Sequence, residues 1–248
     1  MILATLWGTL SGTLRGIYGW RWVVLPPVVG VAVMAMIIGA LVVAPREVIE
    51  GDVQRLLYIH FPSILAAYGA FAVVFVASLV VLWQRDMRWD AVARGAATVG
   101  VLFTGLTLAT GALWGKPIWG VFWTWDARLT ATLVLFLIYA AYLLARAMAD
   151  ELNEQAARFA AVFAVIGALD IPLIMMSVRW WRTLHPQPIV LRGLERPALP
   201  PEMTAVLLIA FIGISALAVW LTVLRTETDW LAKRVATLRA TIDRREEA

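Results

Sequence analysis

Residues 61–83 read FPSILAAYGAFAVVFVASLVVLW, a run without one charged side chain. About 20 such residues, wound as a helix, cross the hydrocarbon core of a bilayer. The run lacks the period-2 alternation of a barrel strand, so a helix is the reading. Five further stretches have the same character, at about 22–44, 95–113, 127–146, 157–177 and 203–224. Charge or proline bounds each one, as Pro45-Arg46 does after the first and Arg225 after the last. The whole chain of 248 residues is 62% hydrophobic and only 15% charged. Soluble domains are roughly 45–50% apolar and about 25% charged, so a soluble domain and a disordered chain are both excluded. The sequence predicts an all-α integral membrane protein, residues 1–248 forming one polytopic domain with six transmembrane helices. Met1 to Leu14 is apolar but too short to span, and Arg15 and Arg21 follow it rather than precede it. That order is unlike a signal peptide, and the segment reads as uncleaved and interfacial.

Orientation follows from the cations. With the N-terminus inside, thirteen lysines and arginines fall on inner segments and eight on outer ones. The bias places both termini in the cytoplasm and the functional face in the periplasm. The net charge of +4 therefore reports topology, and no nucleic-acid partner is read from it. Residues 186–201 hold five prolines, as an extended outer loop would. The tail 225–248 sets Leu231, Val235, Leu238 and Ile242 on one face of an amphipathic cytoplasmic helix. Whether that stripe packs on its own bundle or docks a partner stays open at this level.

The outer face collects the chemistry. There is no cysteine, which removes disulfides, thiolate metal sites, iron–sulfur clusters and haem attachment through Cys-x-x-Cys-His. The chain has two histidines, His60 and His185, and both fall at outer span ends. Of thirteen tryptophans, Trp114, Trp119, Trp123 and Trp125 crowd into the tryptophan-rich periplasmic segment 114–130 between the third and fourth helices. Trp180 and Trp181 lie outside as well. A membrane belt spreads its rings around the bundle, whereas this cluster forms one aromatic surface. Were the segment helical, Trp119 and Trp123 would share a face. Two imidazoles beside such a platform match the axial ligands and apolar surface that haem requires. The bland alternative is a pair of helix-capping surface histidines. Asp126 reads equally as the N-cap of the fourth helix or as a functional carboxylate. Asp170 lies inside the fifth span, two residues before Pro172, and either serves function or bonds freed backbone. Gly111 to Pro117 lacks the Ser/Thr of a phosphate loop after Lys116, so no nucleotide site is read. Arg55 and Arg128 flank the expected pocket against the positive-inside trend. The fork of an arginine suits a propionate, while snorkelling to lipid phosphates is the alternative. Arg179 and Arg182 are weaker candidates.

These residues resemble a known family. Trp119-Gly120-Val121-Phe122-Trp123-Thr124-Trp125-Asp126 is similar to the "WWD" signature of the cytochrome c assembly proteins. Trp114-Gly115-Lys116-Pro117, Ala127-Arg128-Leu129-Thr130, residues 55–62 (RLLYIHFP) and residues 177–185 (SVRWWRTLH) narrow the likeness to the CcmC type of haem-handling protein. The resemblance covers roughly residues 15–225. Phe122 departs where tryptophan is common, and Pro186 where glutamine is. By that resemblance, His60 and His185 are the axial ligands of a non-covalent haem b, and the tryptophan segment is its platform. The resemblance further implies a multi-pass protein of the bacterial inner membrane that gives haem to a periplasmic haem chaperone. Its implied partners are an ABC-type ATPase subunit, a membrane partner subunit and a small single-span protein. The same resemblance implies a non-enzymatic transfer subunit. The competing readings are a haem lyase of the same superfamily, an electron-transfer cytochrome b, and a structural subunit of an exporter.

Overall fold

The computed structural model describes residues 22–185 and 199–247. The interfacial segment Met1–Leu14, Trp7, Trp20, most of the proline-rich stretch, Arg192 and Arg196 lie outside them. Regular structure among the described residues is helical apart from one isolated bridge between Glu47 and Gly51. Six stretches are long and apolar enough to cross a membrane. They are α1 (Trp22–Val43), α2 (Leu57–Gln84, led in by a 3-10 turn Asp52–Leu56), α3 (Met87–Trp119), α4 (Ala127–Met148), α5 with α6 (Glu154–Ala168 and Asp170–Trp180), and α7 (Pro201–Glu246).

Local chemistry sets the ends. Asp86, Asp126 and Asn153 each accept a backbone N–H from the first turn of the helix they precede. The fifth span breaks at Leu169 because Pro172 has no N–H and its ring crowds the carbonyl four residues back. Asp170 stands at that break, and its Oδ2 is buried without a partner. α3 continues six residues past the apolar run that predicted it, to Trp119, and ends where Gly120 turns left-handed at φ 79°. α7 is one continuous helix that carries the 225–246 tail with it.

Packing uses small residues, as membrane helices do. α2 and α3 form the most extensive pair, and α7 lies against both. Ala67, Ala70 and Ala77 of α2 and Ala93, Ala96 and Ala97 of α3 are all buried in one core. A Cβ at Gly100 would stand 2.4 Å from the Phe71 ring, and one at Gly95 would meet Thr226 of α7 at 2.3 Å. Phe71 in turn stacks on Tyr139 of α4 at 3.9 Å, and the Tyr139 hydroxyl donates to Ala164 O at 2.8 Å. Leucines and valines that face outward, such as Leu102, Leu137 and Leu208, are exposed where lipid would cover them.

One end of the bundle is closed by buried charge. Arg146 of α4 forks onto Asp90 of α3 through Nε at 3.2 Å and Nη2 at 2.9 Å. Lys233 of α7 reaches the same carboxylate at 2.7 Å. Arg94 joins Glu151 to Asp229, which Arg225 also pairs at 3.1 Å. This network ties α3, α4, the α4–α5 link and α7 together, leaving the opposite end for the candidate site.

Candidate functional site

His60 sits in the first turn of α2, beside the last turns of the antiparallel α3. Its Nδ1 lies 3.1 Å from Thr110 Oγ1. That hydroxyl spends its own proton on Leu106 O at 2.7 Å, so toward the ring it accepts. In the tautomer that donates from Nδ1 to this oxygen, the lone pair stands on Nε2. Gly111 gives the ring its room: a Cβ there would come 2.9 Å from His60 Cε1. One turn from Thr110, Trp114 meets the imidazole edge-on, with centroids 5.9 Å apart and planes at 85°. The indole Nε1 is itself fixed by Glu50 Oε2 at 2.9 Å. The turn presenting Glu50 is held by Glu47, whose carboxylate accepts the N–H groups of Ile49 and Glu50. Those bonds keep the Glu47 carboxyl below its ordinary pKa.

The tryptophan segment is part helix and part link. Trp114 and Trp119 belong to the end of α3, and Trp119 packs over Gly115, where a Cβ would stand 2.9 Å from its ring. Beyond Gly120 the chain is irregular, so Trp119 and Trp123 do not share a helical face. Trp123 instead meets Trp125 edge-on at 5.7 Å. Lys116 folds over the link, donating to Gly120 O at 2.8 Å with its ammonium 5.3 Å from the centre of the Phe122 ring. Trp125 is 77% exposed and Phe122 is exposed too, while Trp123 Nε1 is buried with no partner.

Asp126 takes the capping role. Its Oδ1 accepts from Arg128 N and Leu129 N at 2.9 and 3.0 Å, and Thr124 donates to its Oδ2 at 3.1 Å. Arg128, in the first turn of α4, lies near both His60 and Tyr68. Its Nη1 is buried without a partner. Arg55 is differently engaged: its guanidinium donates to Ala40 O at the end of α1 and pairs with Asp52. His185 follows α6 and accompanies His60 at this end, within range of its charge. The His185 backbone N–H donates to Thr183 Oγ1 at 3.0 Å. Trp180 and Trp181 meet edge-on at 5.8 Å and are exposed, as are Arg179 and Arg182. The structure thus gathers His60, His185, Trp114 and Arg128 at one end of the bundle. Thr110, Gly111, Glu50 and Tyr68 were missed by the sequence reading. Within an apolar span, threonine and glycine look like ordinary helix-packing residues, and only the fold brings Thr110 to His60.

A family model described as CcmC, heme exporter protein C, matches residues 13–241. The chain belongs to this family. Heme exporter protein C of Bradyrhizobium diazoefficiens is 37% identical over 219 residues, which cover 87% of this chain and 82% of that protein. Heme exporter protein C of Haemophilus influenzae is 36% identical over 196 residues, 79% of this chain and 78% of its own length. The Escherichia coli K12 protein of the same name is 36% identical over 185 residues, 73% and 72% of the two chains. The family membership expected from the tryptophan segment and its flanks is borne out, and the matches extend well beyond those motifs.

Proposed function

We infer that this chain binds haem at the periplasmic face of the inner membrane and delivers it to a periplasmic haem chaperone for cytochrome c maturation. His60 and His185 act as the axial pair, and the tryptophan segment is the platform for the porphyrin. The observation that carries this reading is the contact of His60 Nδ1 with Thr110 Oγ1 at 3.1 Å. A ring held at Nδ1 by a hydroxyl oxygen keeps Nε2 for iron, as an iron ligand requires. Two more features fit the group. Arg128 Nη1 and Trp123 Nε1 are buried donors without protein partners at the same end, and haem brings two propionates that accept. The exposed rings of Phe122 and Trp125 offer open apolar surface for a flat macrocycle.

In this reading each residue has a simple task. Thr110 holds the tautomer, Gly111 and Trp114 hold the ring's position, and Arg128 takes a propionate. Asp126 acts through the start of α4, keeping Arg128 in place. Trp114, Trp119, Trp123 and Trp125 exclude water from one face of the macrocycle. Haem supplies the iron that the two imidazoles would ligate, and the chain performs no bond-making of its own. Both termini lie in the cytoplasm, the whole chain is one polytopic domain, and an ABC-type ATPase subunit, a membrane partner and a small single-span protein complete the assembly. The open face favours hand-over to another protein above a buried electron-transfer role.

Transfer is tested directly by loading the purified full chain with haem and adding the chaperone. The account expects the haem spectrum to move to the chaperone at a rate that falls when Trp119 and Trp123 are alanine. Haem that stays bound for hours beside excess chaperone would favour the electron-transfer reading instead.

A further inference from the structure

The cytoplasmic arm of α7 has two faces of opposite character. Asp229 and Lys233 are buried against the bundle, locked into the charge network with Asp90, Arg94 and Glu151. The other face carries Leu224, Leu231 and Leu238, and between them Thr228, Val235 and Ile242, all exposed. Leu231, Leu238 and Ile242 are 59%, 62% and 55% open. Their spacings alternate four and three, which is a heptad seam with leucine at every d position and threonine, valine and isoleucine at a. β-branched residues at a with leucine at d favour two-stranded packing. The arm runs as one helix to Glu246, reaching about 33 Å beyond Leu224 at 1.5 Å per residue. A straight continuation of a spanning helix leaves the membrane and cannot lay this seam on it.

The flanking positions choose the partner. Between Leu231 and Ile242 the charged e and g residues are Arg239 and Arg234, both exposed. A second copy of this chain would oppose arginine to arginine, g against e in a parallel pair and each against itself in an antiparallel one. We propose that the α7 arm is one preformed strand of a heterotypic two-stranded coiled coil. Its occupant is a helix of another protein with an apolar a/d seam and carboxylates at e and g. The charge network holds the arm in place before the partner arrives, which lowers the ordering cost of a seam only three heptads long.

The test uses the full chain in lipid nanodiscs and two labelled three-heptad peptides, both with isoleucine at a and leucine at d. One has glutamate at e and g, the other lysine. Fluorescence anisotropy is expected to give at least tenfold tighter binding of the glutamate peptide. Leu238→Asp is expected to weaken it tenfold or more with unchanged helicity, and Arg234→Glu with Arg239→Glu to reverse the preference. Equal binding of both peptides, no binding of either, or a preference that survives the double reversal would overturn the proposal. So would disulfide-linked pairs of Val235→Cys chains in native membranes, where this cysteine is the only one each chain carries, because they would make the occupant a second copy.

Discussion

Replacing Thr110 by valine removes one oxygen from the site and little else. The residue is 6% exposed, valine fills nearly the same volume, and the chain at this point is already helical. The hydroxyl's bond to Leu106 O duplicates an acceptor that the helix itself serves, so the helix loses little. What disappears is the acceptor 3.1 Å from His60 Nδ1. Hydrogen-bond partners of the other ring nitrogen of a ligating histidine are typically worth 10–100-fold in metal affinity, or about 1.4–2.7 kcal/mol. Thr110→Val is therefore expected to weaken haem binding by that factor in a spectrophotometric titration of the purified chain. Thr110→Ser keeps the oxygen and is expected to stay within about threefold of the native protein. The imidazole also loses basicity with its hydrogen bond, so the iron potential should rise in Thr110→Val. Equal affinities for valine and native chains, or equal losses for valine and serine, would refute the assignment of the Thr110–His60 bond as the device that frees Nε2.

Gly111→Ala is expected to separate stability from binding: the added Cβ favours the helix by up to about 1 kcal/mol yet pushes His60 from 2.9 Å, so thermal stability holds or rises while haem titrations weaken. Arg128→Ala is expected to weaken haem but spare a haem diester lacking free propionates, because its Nη1 is unpartnered. Arg55→Ala should lower both alike, together with thermal stability, because Arg55 ties the end of α1 to the turn before α2. Acidification is expected to release haem, since the ligand nitrogen must be neutral and protons compete with iron; binding is full above the range in which bound imidazole protonates and is lost as pH falls through it, and a retention curve rising toward acid would contradict the ligand set.

The spanning helices were legible because hydropathy is a local property, and runs such as 61–83 have no other stable setting. What stayed hidden depends on residues far apart in sequence. Arg225, Asp229 and Lys233 look like the end of a span and the start of a separate tail. They continue one helix because Asp90, Arg94 and Glu151, some 80–140 positions earlier, neutralise Asp229 and Lys233, and Asp229 in turn pairs with Arg225. Apolarity alone ends the third span at residue 113, while Gly120, the residue able to turn left-handed, ends α3. That same glycine separates Trp119 from Trp123. At the site, histidine and tryptophan are rare enough types to draw notice on their own. Thr110 and Gly111 matter only through their distance to His60, and a linear reading carries no signal of that. The two readings of Asp126 separate only by geometry, which gives its Oδ1 to the start of α4 and its Oδ2 to the Thr124 hydroxyl.

The central claim is that His60 and His185 hold one iron between them. The absorption spectrum of the haem-loaded chain, recorded for the native protein and for His60→Gly and His185→Gly, tests it most directly. The account predicts a six-coordinate low-spin spectrum for the native chain, its loss in either variant, and its return when free imidazole fills the vacated space. A native-like spectrum in both glycine variants without added imidazole would contradict it.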